Sequence, residues 1–150
     1  MQTHSLASLA DRFAPSARMP VVFLGHGSPM NAIEDTAFSR AWKTLGQSLP
    51  RPEAILVVSA HWMTKDTTLV DVSAMPRTIH DFYGFPEALY AEQYPARGQP
   101  DLAREVVTLL ASHRAQEDDT WGLDHGAWAV LKFLYPEADV PVFQVSIDME

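Results

Sequence analysis

The stretch Ala54-Ile55-Leu56-Val57-Val58-Ser59-Ala60, followed at once by His61-Trp62, decides how this chain is read. An unbroken apolar, β-branched run of this length has no polar alternation, so it predicts a strand buried on both faces, as in a parallel sheet. A similar run, Met19–Leu24 (MPVVFL), is ended by Gly25 and predicts a first buried strand. Between them, Asp35–Gln47 places Phe38, Ala41, Trp42 and Leu45 at helical spacing, with Asp35 or Thr36 able to cap its start. Strand, helix and strand in that order read as a βαβ unit.

Downstream, Thr67–Val72 reads as a shorter third strand, placed at an edge, and Ala74–Gly84 as loop. Helices are expected over Pro86–Tyr94, Pro100–His113 and Asp124–Tyr135, the last with Asp124 as N-cap. Val140–Ile147 is the final buried strand. The fold class is therefore α/β, a mainly parallel sheet flanked by helices. Residues 1–18 read as a flexible lead-in. They lack the basic head and apolar run of a secretory signal, and Asp11 counts against a transit peptide. No run approaches the ~18 apolar residues of a membrane span. Cytoplasmic residence is the default expectation.

Composition narrows the chemistry. With 11 basic and 19 acidic residues the chain carries a formal charge of −8, which argues against nucleic acid and anionic membrane surfaces as partners. It has no cysteine, which excludes disulfide scaffolds, thiolate metal sites and thiol nucleophiles. Any metal must use His, Asp or Glu. Both strong strands run into a histidine, His26 in Gly25-His26-Gly27-Ser28-Pro29 and His61 in Ser59-Ala60-His61-Trp62. Ligand sites of open α/β sheets form beyond the carboxyl ends of strands, so adjacent strands would bring these rings together. One isolated histidine is more often a satisfied loop or core residue. Two at equivalent strand ends point to a metal, for which imidazole suits zinc, iron, copper and nickel.

Two further histidines stand beside chemistry-bearing segments. His80 lies in Thr78–Pro86 (TIHDFYGFP), whose aromatics read either as a plug beneath the loop or as a lid over a planar substrate. His125 opens a helix, where the dipole disfavours the imidazolium and leaves a neutral ring able to accept a proton; packing at the helix start is the alternative. His113 and His4 read as solvated. There is no Walker sequence, dinucleotide fingerprint, G-x-S-x-G elbow or H-E-x-x-H helix.

Four blocks taken in order, GHGSPM at 25–30, VVSAHW at 57–62, TIHDFYGFP at 78–86 and GLDHGAW at 122–128, resemble one family. They are similar to the class III extradiol ring-cleavage dioxygenases, in the bacterial and plant group of 4,5-DOPA dioxygenase. With the PVFQVSID ending the resemblance spans roughly residues 19–148.

The resemblance implies opening of a catechol by O2 at a non-haem Fe(II), with Zn(II) recorded in the same position of some members. By the family's motifs His26 and His61 match metal ligands, His125 a histidine on the substrate side, and His80 one in the closing loop. A catechol must lose a proton to bind through both oxygens, which gives a neutral histidine its task as base. Zinc has no redox chemistry and would only hold the geometry. Family members continue beyond the SID stretch, and that continuation carries the third metal ligand and another active-site histidine. Residues 19–150 are thus expected to be the N-terminal part of one catalytic domain, its sheet incomplete on the C-terminal side. Asp81 and Asp148 are carboxylates near the motifs that do not match the absent ligand, and Arg77 is a candidate partner for a substrate carboxylate. The alternatives are a metal-free or zinc-holding binding protein on the same scaffold and, lacking any motif, a zinc hydrolase. Neither the particular catechol nor the oligomeric state follows from the sequence.

Overall fold

The computed structural model describes residues 18–149. The lead-in and His4 lie outside the described residues. A four-stranded sheet is flanked by helices on both faces, in the element order α1 (Ala37–Ser48), β1 (Ile55–Thr64), β2 (Leu69–Asp71), α2 (Glu87–Tyr90), α3 (Pro100–Leu109), β3 (Gln116–Asp118), α4 (His125–Leu134) and β4 (Val142–Asp148). Short 3-10 turns cover Pro29–Ala32 and Ala111–His113. The sheet order is β1-β4-β2-β3. β1 pairs β4 in parallel, β2 pairs β3 in parallel, and β2 meets β4 antiparallel at Val70↔Val145. The expected α/β class with a mostly parallel sheet is therefore what the chain adopts.

β4 is the spine, because successive side chains of a strand face opposite sides. Phe143 and Val145 meet Val70, Val72 and Ala103 in one apolar cluster, completed by Leu102, Val106 and Val107 of α3. On the opposite face Val142, Ile55 and Val57 pack with Trp128, Leu131 and Leu134 of α4 and Trp42 of α1. Trp128 is fully buried, and burial of a side chain of this kind contributes roughly 1.5–3 kcal/mol. Thr36 starts α1 through a capping box, accepting from the Ser39 N–H while the Ser39 hydroxyl accepts from the Thr36 N–H. Of the two candidate caps, Thr36 is the one used.

Three expectations need correction. Met19–Leu24 is not a strand: it joins no ladder, and Val21 and Phe23 are fully exposed. An apolar run becomes a strand only when an edge accepts its hydrogen bonds, and among the described residues the outer edge of β1 takes no partner. The βαβ unit is accordingly reduced to α1 and β1. The third strand is not at an edge, since β2 lies between β4 and β3. The true edge there is β3, whose Gln116-Glu117-Asp118 has no apolar signature. Finally, β1 does not stop at Ala60 but runs to Thr64, through an irregularity in which the four residues between Val58 and Met63 oppose the single residue between Val145 and Ile147 on β4.

Candidate functional site: a three-histidine cluster

That irregularity in β1 aims His61. A bulge re-directs side chains and strengthens the local twist, and Ser59–Trp62 occupy it. The His26 loop is tied down by one polar residue. Asn31 Nδ2 donates to the His26 carbonyl (3.1 Å), and Asn31 Oδ1 accepts from the Thr36 hydroxyl (3.0 Å) that also caps α1. Gly27 takes left-handed backbone there (φ 61°), which a side chain would resist. His125 is the first residue of α4. Its N-cap Asp124 is wholly buried, with Oδ1 accepting from the Ser59 hydroxyl (2.6 Å) and the Ala127 N–H, and Oδ2 from Gln144 Nε2 (2.9 Å) and Trp121 Nε1. This network holds the helix start, the bulge and β4 in one register.

These elements bring His26, His61 and His125 together. The ring centroids lie 4.9, 4.9 and 4.1 Å apart for the three pairs. One nitrogen from each lies within 4.8 Å of the others. His26 Nε2 and His61 Nε2 approach to 2.8 Å. His125 is buried, while His26 and His61 are half-buried and reach solvent on one side.

Hydrogen-bond accounting assigns the protons. His26 Nδ1 faces the Gly27 carbonyl at 2.9 Å; a carbonyl only accepts, so Nδ1 carries the hydrogen and Nε2 keeps a lone pair. His125 Nδ1 faces Asp81 Oδ1 at 2.9 Å, and the same oxygen accepts the His125 backbone N–H at 2.8 Å. Burial pushes the Asp81 carboxyl up, but the side-chain and backbone hydrogen bonds from His125 outweigh it and hold the group below its ordinary value. Asp81 is thus ionised and acceptor-only, so the hydrogen shared with His125 lies on Nδ1. Asp81 Oδ2 lies 3.4 Å from His61 Nδ1. Burial, then His125 and His61, lower the His26 pKa, which favours its neutral, ligating form. Nitrogens of the three rings converge, with His61 Nε2 and His26 Nε2 sharing one hydrogen, and such an imidazole set fits a divalent transition metal that displaces that hydrogen on binding. Two cis ligands on such an ion, at about 2.1 Å each, would stand about 3 Å apart, close to the observed His26–His61 separation.

His80 stands outside the cluster. Its Nε2 donates to the Glu92 carbonyl (2.9 Å), and its ring packs against Phe82, Tyr90 and Trp128. The aromatic loop divides between the two expected readings. Phe82 sets its edge against His125 and packs on Phe85 and Trp128, whereas Tyr83 is almost fully exposed. Arg77 donates to the Trp121 carbonyl through Nε (2.9 Å), which anchors the block that precedes α4. Asp148 ends β4 and pairs with Arg114 at 3.8 Å, away from the cluster, and His113 is exposed at the end of its 3-10 turn. Sequence reasoning missed Asn31, Ser59, Asp124 and Gln144 as supports. No spacing rule marks them, although Asp124 carried a cap signal.

Residues 20–149 match the family described as the catalytic LigB subunit of aromatic ring-opening dioxygenase. The chain belongs to the LigB family. Within that family it is 54% identical over 139 residues to the 4,5-DOPA dioxygenase extradiol of Escherichia coli K12, covering 92% of this chain and 51% of the relative. It is 46% identical over 132 residues to the enzyme of the same name from Beta vulgaris, covering 83% and 48%. The solved structure of an uncharacterized Escherichia coli K12 protein superposes with a TM-score of 0.68 at 47% identity, covering 87% of this chain and 48% of that one. The chain spans about half the length of the relatives it matches. Among the described residues no helix of this LigB-family chain is long and apolar enough to cross a membrane.

Proposed function

We propose that this chain forms the histidine-bearing half of a metal-dependent extradiol dioxygenase site that opens a catechol-type ring with O2 to a ring-opened semialdehyde acid. The observation that carries the reading is the convergence of His26, His61 and His125 with their Nδ1 positions already committed or faced by a carboxylate. Relatives named 4,5-DOPA dioxygenase extradiol support the substrate class, a dihydroxy-aromatic of the DOPA type. His26 and His61 would hold Fe(II), which supplies the one-electron chemistry that couples an electron-rich ring to O2.

The remaining work belongs to the chain. His125 is the base that would accept a catechol hydroxyl proton and, once protonated, the acid that would return it to oxygen. Its proton capacity is backed by the ionised Asp81 on the far side of the ring. Phe82, edge-on to His125, shields that face from water. His80, braced on Glu92, holds the aromatic loop over the site, and exposed Tyr83 offers it a face for a planar substrate.

The test has two parts. Purified chain should retain one transition metal, and His26→Ala and His61→Ala should each lose it; unchanged metal content would remove those residues as ligands. In a chain extended to the relatives' length, anaerobic loading with Fe(II) followed by air and a catechol panel including DOPA should consume O2 and give a yellow product. Absence of uptake with every catechol would overturn the dioxygenase reading. Zn(II) in the same position should bind without turnover.

A further inference from the structure

Two of the three histidines, His61 and His125, meet the same carboxylate, that of Asp81. Asp81 directly follows a segment tied to the start of α4 and the turn before it. Ile79 donates its N–H to the Leu123 carbonyl (2.7 Å), Thr78 bridges to Leu123, and the Ile79 carbonyl accepts Trp128 Nε1 (2.8 Å). The carboxylate cannot easily move away, and it divides its two oxygens. Oδ1 takes both hydrogens offered by His125, from the backbone and from Nδ1. Oδ2 stands 3.4 Å from His61 Nδ1. Among the described residues, Asp81 is the one acid that pairs with two members of the cluster, from elements more than sixty residues apart in sequence.

We propose that Asp81 is the positioning residue of this site: its single carboxylate sets the ring orientation of His61 and His125 together and keeps the Nδ1 of His125 protonated, so that Nε2 of each ring is the nitrogen left to face His26. The inference rests on the metal-centre reading for its consequence, though not for its geometry. A histidine in water favours hydrogen on Nε2; a carboxylate at Nδ1 reverses that preference and adds negative charge behind the ligand, raising its basicity. Sharing one carboxylate couples the two rings, so that displacing either displaces the acceptor of the other. The same oxygen also caps the first N–H of α4, which makes Asp81 a support of the helix as well as of the rings.

Asp81→Ala and Asp81→Asn separate these functions. In an asparagine the carbonyl oxygen would stay at the Oδ1 position, where two hydrogens point, and the amide nitrogen would face His61. Long-range proton–nitrogen NMR of the metal-free chain, at about pH 8, above the range of an ordinary imidazole, should show His125 with hydrogen on Nδ1 in the parent and in Asp81→Asn. In Asp81→Ala it should move toward Nε2. Cobalt(II) titration, followed by its visible absorption, should show affinity at least about tenfold lower in both variants. A merely structural role would lower the unfolding midpoint without moving the His125 tautomer. An unchanged His125 tautomer in Asp81→Ala overturns the proposal, as does cobalt affinity within twofold of the parent in both variants while His61→Ala abolishes binding. If His26→Ala and His61→Ala leave cobalt binding unaltered, the metal-centre reading fails instead, and the tautomer measurement still decides the role of Asp81. Asp81→Asn keeps the helix-capping acceptor, so if Asp81→Ala does not fold, cobalt affinity of Asp81→Asn within twofold of the parent overturns the proposal by itself.

Discussion

At the scale of single residues, the site depends on close approach as much as on ligand identity. Gly126, the second residue of α4, sits against His61: a Cβ there would lie 2.8 Å from His61 Cδ2 and 2.8 Å from Ser59 Oγ. Alanine in a helix ordinarily gains up to ~1 kcal/mol over glycine. Here Gly126→Ala should instead cost about 1–3 kcal/mol by overpacking and weaken cobalt(II) binding at least tenfold, read by denaturant unfolding and metal titration. A stabilised variant with parental affinity would show that the ring gives way freely. Asp71 offers a test of charge burial away from the site. It is 1% exposed, its Oδ2 has no hydrogen-bond partner, and burial, only partly offset by the Ser73 hydrogen bonds, lifts its pKa above the ordinary 3.8. A raised folded-state pKa gives stability that is complete below the unfolded value and lost as pH rises through the folded one. Asp71→Asn escapes that loss. It should be more stable than the parent near neutrality, on the order of 1 kcal/mol, with the gain vanishing below about pH 4; thermal unfolding at the two pH values reads it.

At the scale of elements, α1 reaches the site through its cap. Thr36 holds Ser39 and also Asn31, and Asn31 holds the His26 carbonyl. Thr36→Ala should therefore cost about 1 kcal/mol in urea unfolding and in addition lower metal affinity, whereas Thr36→Ser should restore both. Loss of stability with unaltered affinity would mean that the His26 loop stands without its tether. The periodicities of α1, α3 and α4 and the apolar run of β4 were legible in sequence because each buries one continuous stripe or both faces of a strand. Met19–Leu24 carried the same apolar signature, yet composition cannot say whether a neighbouring edge will accept the run. β3 was invisible for the opposite reason: it is held through the backbone of β2 and carries no apolar side chain. In the site, the convergence of His26 and His61 was anticipated, but not for the reason given, since His26 follows a run that forms no strand and His61 lies inside β1. The bulge that aims His61 was not legible, because the apolar run of β1 gives no sign that the strand resumes beyond it. Asp81 was visible as a carboxylate near a motif, but its division between two histidines is a property of three loops meeting.

At the scale of the whole molecule, the sheet is covered unevenly. The face lined by Phe143 and Val145 is roofed by α3, but over β1 the same face continues as Leu56 and Val58, which are exposed. Met63 farther along β1 is exposed as well, and Val21 and Phe23 stand out in solvent. Sheets built from parallel strands are normally buried on both sides, and apolar residues gathered along an unpaired edge make an adhesive surface. The 150-residue chain should accordingly associate as its concentration rises, despite a formal charge of −8 that opposes it. Sedimentation velocity across a hundredfold range of concentration should show the weight-average mass climbing above the 16.7 kDa of one chain. Phe23→Ser combined with Val58→Thr should suppress that climb. Because neither side chain is packed against the core, the pair should change the unfolding free energy by no more than about 0.5 kcal/mol each. Added salt separates the opposing terms: it screens the charge and should promote association of the parent, while leaving the double variant dispersed. A parent that stays monomeric throughout would mean that the bare β1 face is not adhesive, and the incomplete cover over the sheet would carry no cost for this chain.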